Sequence, residues 1–97
     1  MNKYVVILKD KISNEIEDGL NRRHVDHLKQ TALDGHLFLC GPLIGHGGAM
    51  QIIEANSKEE AEEMIQNDPF IAEGFYQTYE IYWLLEANLE NNFLLKD

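Results

Sequence analysis

The sequence predicts an α+β domain in which a four-stranded antiparallel sheet carries two helices on one face, in the order strand, helix, strand, strand, helix, strand (βαββαβ). Three observations predict it. The β-branched run Tyr4-Val5-Val6-Ile7-Leu8 opens the chain, apolar segments on either side of the turn Gly45-His46-Gly47-Gly48 read as a hairpin, and a stretch of helical spacing precedes and another follows that hairpin.

Residues 4–8 are apolar on both alternating faces and stop at Lys9-Asp10-Lys11, the mark of a strand covered on both sides. Ser13 and Asn14 are cap candidates, Asn14 with Glu17 three residues on. Ile16, Leu20, Leu28 and Ala32 then recur at multiples of four until Gly35 offers a left-handed stop, and this is the main helix. Residues 36–44 return to strand chemistry around Leu37-Phe38-Leu39-Cys40, where Gly41-Pro42 signals an edge or a bulge. Residues 49–55 pair back as the second arm of the hairpin. Ser57-Lys58-Glu59-Glu60 makes a capping box for a second helix that runs to about Gln66 and ends at Asn67-Asp68-Pro69. After Gly74, residues 75–85 form a long aromatic strand. The single domain is 1–85. The tail, 86–97, mixes Asn88, Glu90 and Asn91 with Leu89, Phe93 and Leu94, and reads as a partly helical segment that docks on the domain or on a dimer.

At 97 residues the chain holds one core, and a fold of this size gains from a partner subunit. The first, second and last strands carry bulky apolar or aromatic side chains on both alternate sets, whereas two helices cover only one. The second face is therefore expected to pack against the sheet of another copy, giving a homodimer through sheet faces. A net charge of −9 repels phosphate backbones and disfavours nucleic-acid and anionic-membrane partners. Six of the eight basic residues nonetheless lie in the first 29, which leaves room for a local anion site. No apolar span reaches the roughly 18 residues of a membrane helix. The lone Cys40, in an apolar run, reads as a buried thiol of a reducing compartment, so a cytoplasmic location is expected.

His24 falls between Leu20 and Leu28 on the helical wheel, in the middle of the buried stripe. A core histidine that packs and bonds one carbonyl accounts for this placement, and so does a general base. His27, three residues on, points to the same side. A two-histidine metal pair would need a third ligand, and His36, His46 and Asp68 lack ligand spacing, so no metal or other cofactor is expected. Of the two arginines beside His24, only Arg23 leans toward the stripe, where its guanidinium fork fits a planar oxyanion. His46 sits in a glycine-rich hairpin tip of the kind that covers neighbouring sites. Asp68 either caps the turn that Pro69 begins or faces the main helix as the partner of His24. No nucleophile elbow or dinucleotide glycine fingerprint is present.

Arg22-Arg23-His24, Gly35, Gly41-Pro42, Gly47, Ser57 with Ala61, Asp68-Pro69-Phe70 and Gly74 together resemble the YciI-like (YCII-related) family over residues 4–83. The resemblance implies a ferredoxin-like fold, a dimeric α/β barrel built from two sheets, and a pocket holding a His and an Asp, here His24 and Asp68. Arg23, His27, Pro42, His46 and Phe70 are then candidates to contact a small-molecule substrate. Two departures stand out: Asn21 occupies the place of the family's usual arginine, and a tail follows Trp83. The expectation is an acid/base enzyme of lyase, isomerase or dehalogenase type, acting on a small cyclic or aromatic oxygenated substrate. A non-catalytic ligand-binding or sensor module and a structural or interaction protein are the alternatives.

Overall fold

The computed structural model describes residues 1–96. Its elements are β1 (Asn2–Lys11), α1 (Asp18–Leu33), β2 (Leu37–Pro42), β3 (Ala49–Ala55), α2 (Lys58–Asn67), α3 (Pro69–Ala72), β4 (Tyr76–Leu84) and a closing 3-10 turn, Asn92–Leu94. The four strands form one antiparallel sheet in the order β2-β3-β1-β4, the ferredoxin-like arrangement expected from the order of elements.

Cross-strand pairing assigns the faces. Tyr4 pairs with Ile53 and Trp83, and Val6 with Gln51 and Ile81, so these side chains share the helix-covered face. Val6, Leu8, Ile53, Ala55, Ala61 and Ile65 are fully buried there, with Phe70 and Phe75 closing the end. On the other face Val5 lies between Ile52 and Tyr82, and Ile7 between Met50 and Glu80. Phe38, Leu39 and Tyr82 are among the exposed apolar side chains, and the Lys3 ammonium lies 5.0 Å from the Phe38 ring centroid.

Two local expectations change, at the start of α1 and at Cys40. The helix α1 begins at Asp18, with Glu17 as an extended N-cap whose side chain caps nothing; Asn14 is not used, and the Ser13 hydroxyl accepts from the Glu15 N–H instead. Ile16 therefore stands outside the helix. Of the edge or bulge that Gly41-Pro42 signals, the edge is found: β2 is an outer strand, and its bulge falls at Phe38, between the Leu37 and Leu39 pairings, while Gly41 and Pro42 pair in register with Met50 and Ala49. Cys40 is exposed rather than buried, because β2 is an edge strand with a neighbour on one side only. Over its described residues the tail holds a short 3-10 turn, Asn92–Leu94, in which all three residues have positive φ, and reciprocal Asn88–Asn91 side-chain bonds shape the segment.

Other signals act where their chemistry points. Gly35, at φ +83°, ends α1, and the His36 N–H closes on the Thr31 carbonyl at 3.0 Å. The Ser57 hydroxyl caps the Glu60 N–H at 3.1 Å, while the Glu60 carboxylate reaches back to the Asn56 N–H. Gly48 is buried against β1, where an added Cβ would meet the Leu8 carbonyl oxygen at 2.3 Å. Among the described residues no helix is long and apolar enough to cross a membrane.

Candidate active site

Three separate segments meet at one carboxylate. The residue between α2 and α3, Asp68, is completely buried. Its backbone turns extended there because Pro69 follows, and Pro69 then starts α3. Its Oδ1 accepts from the Phe70 N–H at 2.9 Å, which caps α3, and from His24 Nδ1 on α1 at 2.7 Å. Its Oδ2 accepts from the Gln51 amide on β3 at 2.9 Å.

Burial alone would raise the Asp68 carboxyl, but the His24 hydrogen bond and charge, then the Gln51 amide and the Phe70 N–H, outweigh it and hold the group below the usual carboxylate range. An ionised carboxylate only accepts, so the proton on the His24–Asp68 contact sits on Nδ1. The imidazole is also held from its face: its ring stacks on Phe70 with centroids 3.6 Å apart and planes 10° from parallel.

The histidine side chain is 12% exposed, and its opening is the important part. Nε2 has no hydrogen-bond partner among the described residues, and no buried side-chain nitrogen or oxygen there lacks one, so Nε2 is open to solvent. It opens at a mainly apolar cavity of about 330 Å³ between α1 and the β2–β3 hairpin. Val25, Leu28, Pro42, Ala49, Phe70 and Tyr76 form much of its wall. A volume of this order suits one substituted ring. The arrangement can take a proton at Nε2 and stabilise the resulting imidazolium against Asp68.

The family model of the YCII-related domain matches residues 2–84. The chain belongs to the YCII-related family. Comparison with curated proteins gives no match. Among solved structures, this YCII-related protein is similar to the 5-chloro-2-hydroxyhydroquinone dehydrochlorinase of Burkholderia phenoliruptrix, determined in complex with 2,5-dihydroxybenzoquinone. The identity is 20% and the TM-score 0.66, over 93% of this chain and 99% of that one. At such identity the likeness speaks for the fold.

Not every residue singled out in the sequence reaches the cavity of this YCII-related protein. His24, Pro42 and Phe70 line it, and Asp68 stands directly behind His24. Arg23 does not: its guanidinium makes a bidentate pair with Glu73 at 3.0 and 2.7 Å, on the outside of the α1–α3 junction. That hydrogen-bonded pairing raises the arginine and lowers the Glu73 carboxyl. His27 lies outside the cavity wall, and its carbonyl accepts the Thr31 hydroxyl. His46 borders a different depression, with Lys9 and Lys11, and its Nδ1 accepts from the Gly48 N–H at 3.2 Å. Among the described residues no group of three His, Cys, Asp or Glu side chains is placed to hold a metal.

The sequence reading passed over Gln51 and assigned Tyr76 no role at the site. Gln51 is a polar side chain at an inward position of an otherwise apolar strand, 2% exposed, and that mismatch was the available signal. Tyr76 packs edge-on against Phe70 and Phe75; its hydroxyl is pushed up by burial and by the Asp68 charge. Cys40, at the cavity edge, is likewise pushed up by partial burial and by Asp68, which keeps its thiol protonated.

Proposed function

We propose that the chain is a small acid/base enzyme of lyase, isomerase or dehalogenase type, in which His24 Nε2 takes a proton from a cyclic or aromatic oxygenated substrate. Asp68 holds the ring in the Nδ1–H tautomer and offsets the charge of the imidazolium. The observation that carries this reading is the 2.7 Å contact between His24 Nδ1 and Asp68 Oδ1, with Nε2 open at an apolar cavity. Two outcomes balance from that state. The proton returns to another atom of the substrate, which is an isomerisation, or the electron pair left on the substrate expels a halide while His24 keeps the proton, which is a net loss of HX.

The dehydrochlorinase likeness makes 5-chloro-2-hydroxyhydroquinone the first substrate to offer. With chloride release recorded, His24→Gln is expected to fold and to lose about 10²- to 10⁴-fold in kcat. Full turnover by that variant overturns the reading. The exposed apolar outer face of the sheet supports a homodimer through sheet faces, and a lone cysteine, which has no second one for an intrachain disulfide, supports a reducing, cytoplasmic setting.

A further inference from the structure

We propose that Gln51 both positions Asp68 and reads the substrate, so that the cavity admits an uncharged ring carrying a hydroxyl donor and turns away carboxylates. The inference rests on the acid/base reading of the same cavity and names the substrate class that reading leaves open.

The Gln51 amide has one orientation open to it. Asp68 Oδ2, 2.9 Å away, belongs to a group held ionised and can only accept, so Gln51 must present Nε2–H and turn its Oε1 away. Oε1 has no hydrogen-bond partner among the described residues. No side-chain oxygen that is buried there lacks one, so Oε1 is not sealed in protein. Gln51 lines the His24 cavity, and the proposal puts its free oxygen on that wall.

An amide oxygen accepts and cannot donate. Its natural match is a protonated hydroxyl, while an ether, a quinone carbonyl or a carboxylate brings a second acceptor against it. The amide is also polarised, because its N–H points at a full negative charge, and this makes the oxygen a stronger acceptor.

Charge selects in the same direction. No lysine or arginine lines the cavity, and the guanidinium of Arg23 is taken up by Glu73. Behind the wall lies the ionised Asp68. Tyr76 also lines the cavity; its hydroxyl, without a hydrogen-bond partner among the described residues, is pushed up by burial and by the Asp68 charge and so brings no negative charge and no cation to the wall. A substrate carboxylate would therefore lose its hydration without meeting a lysine or arginine.

The test is calorimetric titration of the full chain with three probes: hydroquinone, 1,4-dimethoxybenzene and 2,5-dihydroxybenzoate. Hydroquinone is expected to bind saturably, and the other two at least about tenfold more weakly. In Gln51→Met the advantage of hydroquinone over the dimethyl ether should shrink to within about twofold. Three results overturn the proposal: no saturable binding of hydroquinone, either other probe binding as tightly, or an undiminished ratio in a folded Gln51→Met. If that variant does not fold, the ranking of the three probes on the unsubstituted chain decides alone. Failure of the acid/base reading appears elsewhere, as turnover retained in His24→Gln, and leaves the ranking unchanged.

Discussion

The His24 imidazole lies flat on the Phe70 ring, 3.6 Å between centroids, while its edge is tied to Asp68 at 2.7 Å. The two contacts fix different freedoms. Stacking sets the plane of the ring, and the hydrogen bond sets its rotation within that plane, so Nε2 points one way only. Phe70 is 5% exposed and touches Phe75 and Tyr76 as well. Phe70→Ala is expected to cost about 3–5 kcal/mol of stability in denaturant unfolding and to loosen the imidazole.

Asp68→Asn tests the carboxylate. The folded carboxyl is held below its ordinary value, so on acidification the unfolded chain takes up the proton first, and its stabilisation is lost as pH falls through the folded value. The wild type should lose stability below about pH 4, the range of an unperturbed Asp. In Asp68→Asn that part of the acid dependence should vanish, while stability at pH 7 drops by about 1–3 kcal/mol as one buried bond is lost or reversed. Chemical unfolding of both proteins between pH 2 and 7 measures the difference; parallel curves would count against the assignment.

Arg23→Gln separates the surface pair from the cavity. Because the guanidinium binds Glu73 outside the pocket, hydroquinone affinity in this variant should match wild type, whereas an arginine that held substrate would show a clear loss.

Gly48→Ala addresses the hairpin. A methyl group 2.3 Å from the Leu8 carbonyl oxygen forces β3 away from β1, and neither backbone can yield cheaply. A loss of about 1–3 kcal/mol is expected in thermal unfolding, with a smaller effect from Gly41→Ala, where the added atom meets open space.

The outer sheet face gives a prediction about assembly. Light scattering of the wild type should report a dimer, and Leu39→Glu with Tyr82→Glu should give a folded monomer. Both side chains are exposed in the single chain, Tyr82 at 56%, so the charges disturb only an interface. A monomeric wild type at micromolar concentration removes the dimer.

Much of this fold was legible because its strands announce themselves twice. Apolar residues on both alternating sets of Tyr4-Val5-Val6-Ile7-Leu8 fixed the strand, and the surplus face marked a surface in need of cover. His24 was legible from its place between Leu20 and Leu28, a spacing that survives even though Ile16 lies outside the helix. The start of α1 was not: Ser13 and Asn14 have cap chemistry, but the bond a cap makes depends on where the chain enters, and Ser13 spends its hydroxyl on a local turn. Cys40 was misread because an apolar run does not say whether its strand lies inside a sheet or at its rim. Gln51 acquires meaning only beside Asp68, 17 residues away, and no periodicity within β3 carries that information.

Asp68 closes the first turn of α3 through the Phe70 N–H with the same oxygen that holds His24. The two duties share one atom, so a substitution at residue 68 removes the cap of α3 and the hold on the imidazole together. His24 caps no helix and closes no turn, and a substitution there leaves α3 closed while it takes away the partner of a buried carboxylate. On the proposed acid/base reading, residue 24 is therefore the place where the chemistry can be removed with the α3 turn intact.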